Sequence, residues 1–223
     1  MAKLYGVSVG PGSADLMTVR SVRMIEKCDV IAVPRTKGEN TMAYSIACEE
    51  CDMQDKEIVY AEFLMSMDKE VLRNNYENIA KNLEKHLDNE KNIAFLNIGD
   101  ISIYSTFSYI ADIIISDGYD VEICPGVPSF CAVAAELKKP IAQGKENIVI
   151  IPGDSREFDE LAEIKANKIV MKSSRAIEDI KSKFSGKDVS GVENCGLESQ
   201  KIYNSADELN DNTGYFTTVL IKG

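Results

Sequence analysis

Apolar positions along this chain follow two rhythms that alternate. Short, largely apolar runs occur at residues 4–9, 29–33 and 93–98, and strands are also read at 120–124 and, shorter, at 57–59. Such runs suit strands buried in a parallel sheet. Between them the apolar period lengthens towards 3.6. Val19, Val22 and Ile25 follow a capping Thr18, and residues 41–51 read as a second helix. A long charged helix spans 68–89, with Val71, Leu72, Tyr76, Ile79, Ala80 and Leu83 facing inward and the charges on a solvated face. Phe107, Ile110, Ala111, Ile113 and Ile114 mark a helix to residue 116 that Gly118 ends, and residues 130–137 form another. Strict β/α alternation to this point predicts a mostly parallel first sheet. The second half differs: strands are expected at 147–151, 168–170, 189–192 and 215–221, and helices at 159–164 and 177–183. The change of pattern falls between residues 118 and 124, so the domains are read as 1–120 and 121–223.

Charge narrows the function. Thirty-six acidic against 25 basic side chains leave a formal net charge of −11. That argues against nucleic acid or an anionic membrane surface as partner, since both need a basic face. A polyanionic substrate then requires a locally basic place. No apolar run approaches the roughly 20 residues of a membrane span, and the N-terminus lacks a signal-peptide pattern. A cytoplasmic protein is expected. Its six cysteines are then reduced thiols. Cys48 and Cys51 form one C-x-x-C without a second ligand pair, so no metal site is expected. The single histidine, His86, falls on the charged helix and reads as solvated.

Three loops at strand ends concentrate the candidate chemistry. In open α/β sheets, ligands bind beyond the carboxyl ends of strands. Val9-Gly10-Pro11-Gly12 is glycine-rich, but it has neither the Gly-Lys-Ser/Thr ending of a phosphate loop nor the spacing of a dinucleotide fingerprint. Gly99-Asp100 breaks the apolar run at 93–98, and the segment continues as Ile101-Ser102-Ile103-Tyr104-Ser105-Thr106, with a Ser/Thr cap expected for the helix after it. Pro125-Gly126-Val127-Pro128-Ser129 is the third turn. Arg35 and Lys37, after the second strand, are cations suited to substrate carboxylates.

The ordered trio of loops resembles the tetrapyrrole methylase family, whose members use S-adenosylmethionine to methylate intermediates of cobalamin and sirohaem synthesis. The resemblance covers essentially the whole chain. Ile103-Tyr104-Ser105-Thr106 and Met171-Lys172 are most similar to the branch that methylates C20 of precorrin-2 or its cobalt form. The resemblance implies an α/β fold of two αβα domains, the first sheet mostly parallel and the second mixed, with a cofactor cleft between them, the tetrapyrrole on the side of the first domain, and a homodimer. It also implies cofactor contacts at Pro11, Ile98, Gly99, Asp100, Ile103, Ser105, Thr106, Pro128, Ser129, Met171 and Cys195. Cys195 and Ile98 stand where relatives often carry glycine, and Ile101 replaces the usual proline. Asp100 is expected to accept hydrogen bonds from the cofactor or balance its charge, and Met171 to pack on the adenine. Tyr104 is the candidate for removing the C20 proton. Arg35, Lys37 and Lys172 are the candidates for the substrate's carboxylates. Methylation at another ring position or of uroporphyrinogen, and a non-catalytic cofactor-binding protein, are the competing expectations.

Overall fold

A computed structural model describes residues 2–36 and 42–223. The chain divides into two units, Met1–Val127 and Pro128–Gly223. In the first, five strands are joined by helices: β1 (Lys3–Ser8), α1 (Val19–Lys27), β2 (Val30–Arg35), α2 (Met42–Glu50), β3 (Glu57–Glu62), α3 (Lys69–Asp88), β4 (Ile93–Asn97), α4 (Phe107–Ser116) and β5 (Asp120–Cys124). The sheet order is β3-β2-β4-β1-β5, and every pairing is parallel. All five carboxyl ends therefore share one edge. The sheet is buried on both faces, as its apolar strands require. Leu4 and Phe95 pack with Phe107 and Ile110 on one side. Tyr5, Val7 and Leu96 pack with Ile25 and Ile46 on the other.

Several details depart from the sequence reading. β2 does not end at Pro34 but runs to Arg35. Beyond Ala32 it pairs with β3 and no longer with β4, so the proline sits where a missing N–H costs no ladder bond. β3 continues to Glu62 by following that longer β2. Val71 is exposed rather than inward. The His86 side chain is largely covered, with Nδ1 3.7 Å from Glu57. β5 pairs with β1 and so belongs to the first sheet. The division consequently falls at Val127–Pro128 and not at 120/121.

The second unit holds α5 (Ser129–Glu136), β6 (Ile148–Pro152), α6 (Phe158–Glu163), β7 (Asn167–Met171), α7 (Ile177–Phe184), β8 (Val189–Glu193), β9 (Lys201–Tyr203) and β10 (Thr217–Ile221). The order is β6-β7-β10-β8-β9. β6 and β7 are parallel, while β10 runs antiparallel to both β7 and β8, so this sheet is mixed. Val170, Val219 and Ile221 face a core closed by Phe158, Ile180 and Phe184. β9, only three half-exposed residues on the edge, has no apolar run to announce it.

Candidate active site

At the carboxyl edge of the first sheet the three loops are bound to one another through backbone and short side chains. The Val9 amide donates to Asn97 O at 2.8 Å, and the Gly99 amide to Gly10 O at 2.7 Å, closing a bridge between the two glycines. Both glycines hold positive φ, +78° and +73°, which favours a residue without Cβ. Ser8 Oγ accepts from the Ile101 amide at 3.0 Å. Gly126 lies against this junction: a Cβ there would stand 2.8 Å from Gly99 O. Gly10, Gly99 and Gly126 thus form a floor of bare backbone, with buried Pro11 and half-buried Ile98 and Ile103 beside it.

Asp100 is the clamp of this floor. It is buried, and Oδ2 accepts from the Gly126 amide at 2.8 Å. Oδ1 accepts from the Ser102 amide at 2.9 Å and from the Ser102 hydroxyl. Burial pushes the Asp100 carboxyl up, but the hydrogen bonds from Ser102 and Gly126 together outweigh it and hold the group below its usual value. Both oxygens are thus engaged inside the loops, so Asp100 acts first on the shape of the turn.

The following segment is braced in the same way. Ser105 Oγ donates to Asn97 Oδ1 at 2.7 Å and accepts from the Phe107 amide at 3.1 Å. The cap of α4 therefore comes from Ser105; the Thr106 side chain makes no cap bond. Between brace and clamp, Tyr104 adopts a left-handed φ of 49° and is 45% exposed. Strain of this kind persists only where neighbours over-determine it. Burial raises the Tyr104 phenol above its usual value.

In the second unit, β10 gathers the candidates at one end of the sheet. Thr218 pairs with Met171 on one side, and Thr217 with Glu193 on the other. That sets Met171-Lys172 and the Glu193–Cys195 turn on either side of the start of β10. Ser129 Oγ stands 3.5 Å from Thr218 Oγ1, where α5 packs on β10. Met171 is buried but lies off the main core, on the opposite face from Val170. Lys172 has a φ of 54°, and its Nζ stands 5.7 Å from the Tyr215 ring centroid. Gly153 permits that turn, since a Cβ there would meet Lys172 O at 2.4 Å. Cys195 is buried, and burial pushes its thiol up to about 11, so it is an uncharged thiol at neutral pH.

Arg35 closes β2, its guanidinium paired with Glu62 and 4.3 Å from the Tyr60 ring centroid. Lys37 lies outside the described residues. Reading the sequence missed Ser8, Asn97 and Gly153 as parts of these turns; Ser8 and Asn97 are polar last residues of apolar strands, and that is the signal they offered. Among the described residues no three His, Cys, Asp or Glu side chains gather as metal ligands. None of the described helices is long and apolar enough to cross a membrane.

Residues 3–210 match the family model described as Tetrapyrrole (Corrin/Porphyrin) Methylases. The chain belongs to the tetrapyrrole methylases. Among the methylases similar to it is a probable cobalt-precorrin-2 C(20)-methyltransferase of Methanocaldococcus jannaschii, 33% identical over 99% of this chain and 96% of the relative. A cobalt-precorrin-2 C(20)-methyltransferase of Salmonella typhimurium is 28% identical with the same coverage. The solved structure of a cobalt precorrin-4 methyltransferase superposes with a TM-score of 0.79 at 19% identity, covering 99% of this chain and 94% of that one. A Thermus thermophilus uroporphyrin-III C-methyltransferase, solved in complex with S-adenosylhomocysteine, superposes with a TM-score of 0.73 at 17% identity over 98% and 97% of the two chains. These two structures bear out the fold of the methylases, with its two sheets.

Proposed function

We propose that this methylase transfers a methyl group from S-adenosylmethionine to C20 of a precorrin-2-type tetrapyrrole, in its cobalt form, during cobalamin biosynthesis. The observation that carries the reading is the clamped glycine floor, Gly10, Gly99 and Gly126 under Asp100, in a chain whose near full-length relatives are named for C20 methylation.

The bound cofactor supplies an electrophilic methyl group on a sulfonium, which a nucleophilic carbon displaces in line. What remains for the protein is positioning and desolvation. The bare backbone at Gly10, Gly99 and Gly126 is proposed as the floor for the cofactor, and a Cβ at Gly126 would push that floor apart by meeting Ser8 and Gly99 O. Pro11, Ile98 and Ile103 line that floor with apolar surface, and Ser105 and Thr106 offer polar atoms beside it. Pro128, Ser129, Met171 and Cys195 are the contacts proposed from the second unit. Met171 is suited to an adenine face because its thioether is polarizable. Tyr104 is the residue proposed to remove the C20 proton; its ring is half exposed beside the clamped turn, and burial raises its phenol above the usual value. Arg35, Lys37 and Lys172 are the cations proposed for the carboxylates of the substrate, since a few cations matter against a net charge of −11. The assembly proposed is a cytoplasmic homodimer.

The test is an anaerobic assay with S-adenosylmethionine, offering cobalt-factor II and precorrin-2 separately and reading products by mass. A gain of one methyl on either, located at C20 by NMR, supports the reading, and the preferred substrate tells whether cobalt is already present. Methylation at another carbon, or only of uroporphyrinogen, overturns the C20 assignment. S-Adenosylhomocysteine binding without turnover on any tetrapyrrole favours a non-catalytic role.

A further inference from the structure

The loop between β3 and α3 holds apolar side chains out in water in an ordered shape. Its first residue, Phe63, is buried, 6.3 Å from Phe95 and 6.1 Å from Tyr76 between ring centroids. The next four residues include Leu64, Met65 and Met67, all exposed, the methionines at 79% and 95%. The loop is pinned at both ends. Asn75 Nδ2 donates to Glu62 O at 2.8 Å, and Asn75 Oδ1 accepts from the Leu64 amide at 3.1 Å. Ser66 Oγ accepts from the Asp68 amide at 3.1 Å, and Asp68 caps α3 by accepting from Glu70 at 2.8 Å. Single exposed apolar residues are ordinary, but three in a row of four on a held loop are not.

This strap stands at the same edge as the candidate site. Every strand of the first sheet is parallel, so the carboxyl end of β3 shares the edge with those of β1, β4 and β5. A wall of rings joins strap to site. Tyr76 of α3 stacks on Tyr109 of α4, with centroids 5.1 Å apart and planes at 5°. Tyr109 is half exposed and lies in the first turn after the braced Tyr104 segment. The strap is also tied to β2: the Phe63 amide donates to the backbone carbonyl of Arg35 at 2.8 Å, while the Arg35 guanidinium lies against Tyr60 and Glu62 on the other face of β3.

We propose that Met65 and Met67 form an apolar rest for the flat face of the tetrapyrrole substrate, with Tyr109 continuing it towards Tyr104. The proposal rests on the tetrapyrrole reading of the preceding section. The chemistry matches: a conjugated ring offers a large polarizable surface to thioethers and phenols. Flexible methionines also tolerate a macrocycle that is not strictly planar. The occupant is the substrate rather than a second copy of the chain, because the strap shares the carboxyl edge of the sheet with the reacting loops and the ring series Phe63, Tyr76 and Tyr109 runs from it towards the Tyr104 segment.

The test compares the wild type with a Met65→Gln/Met67→Gln double variant and with Met65→Leu/Met67→Leu. Both side chains are exposed, so folding is unaffected. Losing two apolar contacts should raise the KM for the tetrapyrrole about tenfold. S-Adenosylhomocysteine affinity, read by calorimetry, should stay unchanged, and the leucine pair should restore most of the KM. An unchanged KM in the glutamine variant of an enzyme whose wild type turns over would overturn the strap alone. A drop in molecular mass by light scattering, with cofactor and tetrapyrrole affinities falling together, would overturn it in favour of an interface between two copies. Wild-type protein that neither methylates nor binds a tetrapyrrole would overturn the functional reading, and this proposal with it.

Discussion

Replacing Asp100 by alanine tests whether one carboxylate holds two loops in register. The substitution removes the acceptor for the Gly126 amide, 2.8 Å from Oδ2, and for the amide and hydroxyl of Ser102. Ser102 is exposed and can turn to water. The Gly126 amide, packed against Ser8 and Gly99, is less able to do so. A buried donor left without a partner costs about 1–3 kcal/mol, and the charge-assisted bond is at the strong end of its class. A loss of about 2 kcal/mol is therefore expected. For a chain of this size that lowers the Tm by roughly 4–8 °C. Asp100→Asn should cost about half as much, because the amide oxygen can turn towards Gly126 and leave the nitrogen to Ser102. The carboxyl titrates below its usual value in the folded protein. Its contribution is therefore present above the unfolded value, near 4, and is lost as the pH falls through the folded one, so the gap between wild type and Asp100→Ala should narrow in acid. Differential scanning calorimetry at pH 7 and pH 3 measures this, with S-adenosylhomocysteine titrated into each protein at pH 7. Affinity should fall about tenfold if the displaced floor costs the ligand ~1.4 kcal/mol. A Tm for Asp100→Ala within about 1 °C of wild type would refute the clamp. A lowered Tm with unaltered affinity would remove this floor from the cofactor site.

Two further outcomes can be stated briefly. Arg35→Ala combined with Lys37→Ala should raise the KM for the tetrapyrrole several-fold and leave cofactor affinity alone. Because the Arg35–Glu62 pair lies at the surface, the Tm should move by no more than about 2 °C; equal effects on both ligands would exclude the carboxylate role. Glu84→Gln should raise the Tm at pH 8 by about 1–3 °C. One Glu84 oxygen is buried without a hydrogen-bond partner, and burial together with nearby Asp117 pushes the carboxyl up. The folded state therefore favours protonated Glu84, wild-type stability recovers as the pH falls through that raised value, and the advantage of glutamine should vanish by pH 4. A thermal-shift series across pH checks it, and a pH-independent difference would contradict the assignment.

Much of the first sheet could be read from local pattern, because a buried parallel strand needs apolar residues on both faces and a helix needs them every third or fourth position. Residues 93–97, the Gly99-Asp100 break and the helix from Phe107 all follow from neighbours in the chain. The sheet order did not follow. β5 reads as the start of a new pattern, yet its backbone finds β1, more than a hundred residues earlier, and that pairing moves the division to Val127–Pro128. The candidate site divides along the same line. Glycines at positions 10 and 99 are legible as turns, since only a residue without Cβ takes such φ values freely. That Asp100 bonds to Gly126, 26 residues on, is a tertiary fact: a carboxylate read from sequence is free to serve a ligand, and only the fold shows its oxygens already engaged. Likewise Met171, Thr218 and Cys195 share one end of a sheet because β10 inserts antiparallel between β7 and β8. Periodicity reports which face of a segment is dry. It carries no information on which distant segment supplies the partner, because hydrogen bonds between strands look the same whatever the side chains, and their choice is made by the packing of the whole core.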